Sequence, residues 1–307
     1  MKTKTHVLLI GYSNISKKRF INYFIKKKIK FSIASKSYKG KIDKVSNQFN
    51  NYNKALRTSK ANIAYISLPN SLHYSWAKKA LEYGYHVIVD KPICNHYSNL
   101  KKLVNLAKKK NKLISEAIFF NYHKQIKEAL KIIQNKKNIS KIQANFTIPL
   151  PPKKSILLSK RLEGGVIMDM GPYAAAIHRI FFNSSIKEKK ILIRYNKKKL
   201  PIELNLNLSY KNKTYKGMFK FDGKYKNQII IFYGRNKLTI NRVFSPPEND
   251  NLVLELQKNL LIKKVLIKKD NCFGNYFNKV IGCIKKKNYS KFYGEILADQ
   301  KFRDLLK

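Results

Sequence analysis

The chain has 307 residues, enough for two domains that each bury a core, and a 44% hydrophobic, 12% aromatic composition excludes a disordered protein. Sixty-five Lys plus Arg against 17 Asp plus Glu give a formal charge of +48, a field that attracts polyanions of every kind. The lysines are spread over helices and loops alike and form no block or stripe, so they point to a codon bias shared with the abundant Asn and Ile rather than to a specific nucleic-acid partner.

Cys94, Cys272 and Cys283 are widely spaced, which gives neither a metal pattern nor an even disulfide framework. A reduced, cytoplasmic compartment is expected, with no metal. The apolar run Val7–Ile10 ends at Gly11, too short for a signal segment, and no run of about eighteen apolar residues suggests a membrane span.

In chain order, HVLLI (6–10) reads as a buried strand and SKKRFINYFIKKK (16–28) as an amphipathic helix. KFSIAS (30–35) and NIAYISL (62–68) are strands, and NSLHYSWAKKALEYG (70–84) is a helix with Asn70 as expected N-cap and Gly84 as its stop. HVIV (86–89), a helix over 99–111 and KLISEA (112–117) complete the first region. Strands alternating with helices imply a doubly wound parallel sheet, whose ligands sit beyond the C-terminal strand ends. After about residue 140 the pattern changes. GGVIMDMGPYAAAIHRIFF (164–182) reads as a helix, seven strands follow between 190 and 267 without intervening helices, and helices over 273–285 and 292–306 close the chain. The expected fold is an α/β Rossmann domain, residues 1–120, followed by an α+β domain with a large, open, mainly antiparallel sheet, residues 121–307.

Gly11-Tyr12-Ser13-Asn14-Ile15-Ser16 stands where a dinucleotide-binding G-x-G-x-x-G belongs, with only its first glycine. Ser13 and Ser16 are small enough to serve, and the helix N-terminus offers free N–H groups to a phosphate. The second strand ends in Ser35-Lys36 with no acid for a ribose diol. A hydroxyl and a cation suit a 2′-phosphate, so NADP(H) is favoured, with NAD(H) possible. Pro69 and Asn70 end the third strand at the expected crevice. His73 reads on its own as a half-buried packing residue beside Trp76, Ala77 and Ala80.

Asp90-Lys91-Pro92 follows four buried-type strand residues, and Pro92 restricts the conformation of Lys91. A constrained ammonium at the ligand edge can hydrogen-bond a carbonyl or alkoxide oxygen. Asp169 and Tyr173 are i and i+4 on one helix face, and a phenol there can exchange a proton during hydride transfer. His178 lies off that face and reads as structural.

These motifs, in this order, resemble the glucose–fructose oxidoreductase/inositol dehydrogenase (Gfo/Idh/MocA) family. The carriers are AYISLPNSLHYSWAKKALEYGYHVIVDKPICN, ISEAIFFNYH and GGVIMDMGPY. The resemblance implies an NAD(P)-dependent reaction between a sugar alcohol and its ketone, with Lys91 as catalytic cation, Tyr173 as proton donor or acceptor and Asp169 as a site carboxylate. The implied cofactor contacts are Gly11, Ser13, Asn14, Ile15, Ser35, Lys36, Leu68, Pro69, Asn70, His73, Asp90 and Lys91. Asp90 stands where the family has glutamate, Asn121 where arginine is common and Lys124 where proline is common. The second-region segments look most like members acting on nucleotide-linked sugars, the 3-ketoreductases of deoxysugar pathways. A homo-oligomer is also implied. A non-catalytic family member and a polyanion-binding module are the alternative readings.

Overall fold

A computed structural model describes residues 5–38, 40–182 and 184–307. The chain divides into two compact units. One runs to Ala117 and regains Phe277–Asp304; the other comprises Ile118–Tyr276 with Leu305–Lys307.

The first unit is a six-stranded parallel sheet in the order β3-β2-β1-β4-β5-β6, the arrangement expected of right-handed strand–helix–strand units. Its strands are β1 (His6–Ile10), β2 (Lys30–Ala34), β3 (Gln48–Phe49), β4 (Ile63–Ile66), β5 (His86–Val89) and β6 (Ile114–Glu116). β1, β4, β5 and β6 are buried along their whole length, which explains their unbroken apolar runs. The first helical segment is a wide turn, Ser16–Ile21, continuing into α1 (Asn22–Lys26). The short helix α2 (Tyr52–Thr58) had no clear periodicity in sequence; Asn51 caps it by accepting a hydrogen bond from the Lys54 N–H. In α3 (Asn70–Glu82) the cap position is Pro69, so Asn70 is the first helical residue and not the N-cap. Proline suits a helix entry because its missing N–H would have had no intrahelical partner. α4 (Tyr97–Lys109) buries Leu100, Leu103, Val104 and Ala107 at helical spacing.

The second unit contains an eight-stranded sheet in the order β14-β13-β12-β11-β7-β10-β9-β8. Neighbours are antiparallel except for the parallel pair β7 (Ile139–Ile148) and β10 (Lys213–Phe221). The others are β8 (Glu188–Tyr195), β9 (Pro201–Tyr210), β11 (Lys226–Tyr233), β12 (Asn236–Asn241), β13 (Leu252–Lys258) and β14 (Leu261–Ile267). Along β9, Leu204, Leu206 and Leu208 are buried while Glu203, Asn205 and Asn207 face the other way, the period of a half-covered sheet. The covered face packs against α6 (Val166–Ile177), and α5 (Lys124–Ile133) lies against β13.

The last two helices are α7 (Cys272–Lys285) and α8 (Ser290–Asp304). The sequence pattern grouped them with the second region, whereas α8 packs on α4 and β6 of the first unit. A buried ion pair joins α8 to β6 there, beside the buried Phe292, Tyr293, Ile296 and Phe302 of α8. Arg303 Nη1 donates to Glu116 Oε2 at 2.7 Å, with Arg303 4% and Glu116 6% exposed. A charge so fully removed from water needs its partner. Among the described residues, no helix is long and apolar enough to cross a membrane, and no group of three His, Cys, Asp or Glu side chains is arranged to hold a metal.

Candidate functional site

The C-terminal edge of the parallel sheet collects the turns after β1, β2, β4 and β5. Gly11 opens the first of them at φ +101°, a region that L side chains rarely adopt. A Cβ on Gly11 would stand 2.1 Å from the Ser67 carbonyl oxygen, so the β1 turn lies directly against the end of β4 and only glycine fits. The second and third glycine positions are taken by hydroxyls. Ser16 is fully buried and its hydroxyl donates to the Ser13 carbonyl at 2.8 Å; the Ser16 N–H donates to Ser13 Oγ at 3.1 Å. These bonds close the turn that a glycine would otherwise have made by conformational freedom. Asn14 and exposed Ile15 lie between them.

At the end of β2, buried Ser35 accepts a hydrogen bond from the Tyr38 N–H at 3.1 Å, and Lys36 lies over the Tyr52 ring at 5.2 Å. Tyr12 and Tyr38 pack with ring centroids 4.6 Å apart, and Lys17 Nζ sits 4.4 Å above the Tyr12 centroid. Sequence reasoning missed this cationic, aromatic corner. Its signal was Tyr12 inside the phosphate-type turn, but Tyr38 and Lys17 reach it only through folding.

The turns after β4 and β5 are bound together by His73. Its Nδ1 lies 2.7 Å from the Pro92 carbonyl oxygen and its Nε2 2.7 Å from the Leu68 carbonyl oxygen, with the residue 1% exposed. Both ring nitrogens thus face backbone carbonyl oxygens, which only accept. Neither nitrogen is left for a ligand. His73 therefore staples the two turns of this edge together. Pro69 and Asn70, at the start of α3, and Leu68 form the turn that it holds.

Asp90 follows β5, and its carboxyl accepts from Tyr65 Oη at 2.6 Å and from Ser67 Oγ at 2.6 Å. Burial pushes this carboxyl upward in pKa, opposed by the Ser67 and Tyr65 hydroxyls and by the charges of His73 and Lys91. The acid is one methylene shorter than the family's glutamate, and these two β4 hydroxyls meet it. Lys91 is partly exposed, and the Lys91–Pro92 peptide is cis. Beneath it, the Ile93 N–H donates to Glu116 Oε1 at 2.8 Å, and Gln300 Nε2 of α8 donates to the Asn95 carbonyl at 3.2 Å. The turn that carries Lys91 is thus anchored from below by the Glu116–Arg303 pair, which sequence reasoning also missed. Burial pushes the neighbouring Cys94 thiol up to about 12, so it is no nucleophile near neutral pH.

In the second unit, Asp169 lies in the first turn of α6 and Tyr173 one turn later, both partly exposed. Gly165 caps the helix at φ +98°, where a Cβ would stand 2.9 Å from Pro201. The Tyr173 ring packs among Phe120, Phe146 and Phe244 at centroid distances of 5.9, 5.5 and 5.3 Å, which restricts its rotamer. His178 accepts or donates a 2.7 Å bond with Tyr210 Oη and stacks on Phe182, a structural role. Burial holds its pKa down to about 4. Asn121 and Lys124 flank the start of α5, where the Lys124 N–H donates to Asp270 at 2.8 Å.

Residues 5–118 match the family model described as an oxidoreductase family with an NAD-binding Rossmann fold. A dTDP-3,4-didehydro-2,6-dideoxy-α-D-glucose 3-reductase of Actinomadura kijaniata is 24% identical over 211 residues, 67% of this chain and 64% of that protein. The chain thus spans slightly under two thirds of that relative's length. The crystal structure of a 3-ketoreductase from the same organism, in complex with NADP and TDP-benzene, superposes with a TM-score of 0.91 at 20% identity, covering 99% of this chain and 97% of the other. An aldose–aldose oxidoreductase of Caulobacter crescentus, complexed with glycerol, superposes with a TM-score of 0.85 at 14% identity over 99% and 96% of the two chains. At such identities these likenesses establish the fold. Residues 5–118, which hold the ordered motifs around Gly11, Asn70 and Lys91, are thus similar to the NAD-binding Rossmann domain of the Gfo/Idh/MocA oxidoreductases.

Proposed function

We propose that the protein is an NADPH-dependent reductase of a keto sugar carried on a nucleoside diphosphate. The observation that carries this reading is the placement of Lys91 on the same sheet edge as the Gly11 turn and the Ser35–Lys36 strand end. The donor set fits the cofactor. The Gly11 cradle would be filled by any Cβ, the Ser13–Ser16 turn opens a helical segment at the same sheet edge, Ser35 and Lys36 follow β2 where an acid would repel a 2′-phosphate, and Lys17 stands over Tyr12. When bound, NADPH supplies the hydride.

The chain's own residues have three tasks. Gly11, Ser13, Asn14, Ile15 and the cations at the end of β2 hold the diphosphate and the 2′-phosphate. Lys91, kept in place by its Pro92 neighbour and the Glu116 anchor, donates a hydrogen bond to the ketone oxygen and stabilises the negative charge that develops there. In the second unit, Tyr173 is the phenolic proton donor of the reaction, and Asp169, one turn earlier, is the carboxylate for the sugar hydroxyls. Similarity to the Actinomadura reductase supports a nucleotide-linked substrate, and the +48 charge favours capture of a diphosphate.

The test is titration with NADPH and NADH followed by nicotinamide fluorescence, then turnover of TDP-linked 3-keto sugars. Lys91→Ala and Tyr173→Phe are expected to lower kcat by about 10² to 10⁴-fold with cofactor still bound. Near-wild-type turnover in both variants removes these roles. Lys36→Glu is expected to weaken NADPH and spare NADH, and equal effects on the two remove the 2′-phosphate assignment.

A further inference from the structure

One chain of hydroxyls joins the phosphate turn to the residue before Lys91. The Ser16 N–H donates to Ser13 Oγ at 3.1 Å, Ser13 Oγ and Ser67 Oγ are 2.7 Å apart, and Ser67 Oγ donates to Asp90 Oδ2 at 2.6 Å. Tyr65 Oη occupies the other carboxylate oxygen at 2.6 Å. Each serine has one proton, so the bonds must be ordered. With Asp90 ionised, the proton of Ser67 is committed to the carboxylate. Ser13 is then the donor in the Ser13–Ser67 pair, and its only proton points inward.

A diphosphate only accepts. Ser13 can donate to it in one of two ways: by abandoning Ser67, or by a reversal of the whole chain. Reversal requires a proton on Asp90. The carboxyl O–H then donates to Ser67, Ser67 donates to Ser13, and the proton of Ser13 is released from Ser67, to turn outward or to Ser16 Oγ at 3.4 Å. The groups facing Asp90 are the Tyr65 and Ser67 hydroxyls from β4, the His73 imidazole from α3 and the adjacent Lys91 ammonium. The two cations favour the ionised, inward order, whereas burial of the carboxyl opposes it. An anion on the β1 turn attracts the Ser13 proton and so favours the outward order.

We propose that Ser13, Ser67 and Asp90 form a proton-ordered chain through which phosphate binding on the β1 turn is transmitted to the carboxyl group preceding Lys91. Binding of the diphosphate reverses the chain, and Asp90 takes up one proton from solvent. Ser67 is the positioning residue in the middle, bonded to Ser13 on one side and to Asp90 on the other. The inference rests on the assignment of NADPH to this edge, and it adds a direction to it: a phosphate at one end changes the charge beside the ammonium at the other.

Asp90→Asn is the decisive variant. Its amide N–H donates to Ser67 while its carbonyl still accepts from Tyr65, so it locks the chain in the outward order. At pH 8, Asp90→Asn is expected to bind NADPH about ten- to a hundredfold more tightly than wild type, the worth of one hydrogen bond to a charged acceptor. In a Ser13→Ala background the same change is expected to have no effect on affinity. Calorimetry in two buffers of different ionisation enthalpy should record proton uptake on NADPH binding in wild type and none in Asp90→Asn. Additive effects of the two substitutions on NADPH affinity, or equal proton uptake in both proteins, overturn the chain. A cofactor-free measurement separates it from the cofactor assignment. In urea unfolding of the unliganded protein, Ser13→Ala and Asp90→Asn are expected to be non-additive although the two side chains do not touch. If wild type fails to bind NADPH, the cofactor assignment falls, and additive urea stabilities then overturn the chain as well.

Discussion

Arg303→Met removes one half of the buried pair beneath the Lys91 turn. In wild type, Glu116 Oε2 accepts from Arg303 at 2.7 Å and Oε1 accepts from the Ile93 N–H at 2.8 Å, at 6% exposure. The variant leaves a carboxylate in that position with a single backbone donor. Removing one partner of a buried ion pair costs about 3–5 kcal/mol, because the remaining charge has neither water nor counter-ion. Arg303 also donates from Nε to Gln300 Oε1 at 3.1 Å, and loss of that bond adds about 1 kcal/mol. The assay is urea unfolding of the whole chain followed by tryptophan fluorescence, since Trp76, the one tryptophan, lies on α3 of the first unit. The first-unit transition is expected to move to lower urea with its slope unchanged. The control is the double variant Arg303→Met/Glu116→Gln. It removes both charges, keeps an acceptor for the Ile93 N–H, and should recover most of the loss, as apolar or neutral replacements of buried pairs commonly do. A single variant that costs under about 1 kcal/mol, or a double variant as unstable as the single, refutes this account of α8 as the anchor of the Lys91 turn.

Gly11→Ala forces a Cβ to 2.1 Å from the Ser67 carbonyl at φ +101°, and a loss of roughly 3 kcal/mol in urea together with loss of NADPH binding is expected. Burial lowers the pKa of both His86 and His178 to about 4 from an ordinary 6.5. The unfolded chain therefore binds more protons than the folded one between pH 6.5 and 4, and the stability from these two groups, fully present above 6.5, is lost as pH falls through that window. The melting temperature should decline across it, and the decline should be shallower in His86→Gln/His178→Gln. Cys94, 5% exposed and with its thiol pushed up to about 12, should resist alkylation in the native protein at pH 8, whereas the partly exposed Cys283 reacts; mass spectrometry of the alkylated peptides distinguishes them.

Much of the architecture was legible in the linear pattern because its determinants are local. Unbroken apolar runs mark strands covered on both faces, as in β1 and β5. Strict alternation marks the half-covered strands of the second sheet, as in β9. The glycine at 11 and the proline at 92 declare their turns wherever they stand. Helix α2 and the two-residue strand β3 were not legible, since a seven-residue helix without apolar periodicity earns its place by packing, as Tyr52 does against Trp76 at 5.1 Å.

By itself, then, the sequence determined the alternating and the meandering halves, the phosphate-type turn and the position of Lys91 at a strand end, for all of these follow from short-range sterics and the periodicity of burial. Only the tertiary structure decided that α8 returns to the first unit, that His73 turns both nitrogens to backbone carbonyls, and that hydrogen bonds join Ser13, Ser67 and Asp90. Glu116 and Arg303 lie 187 residues apart, and Ser13 and Ser67 54 apart. No local pattern links such residues: each pairing is set by which strand ends the parallel sheet brings side by side, and by the need of every polar group shut away from water to find a partner.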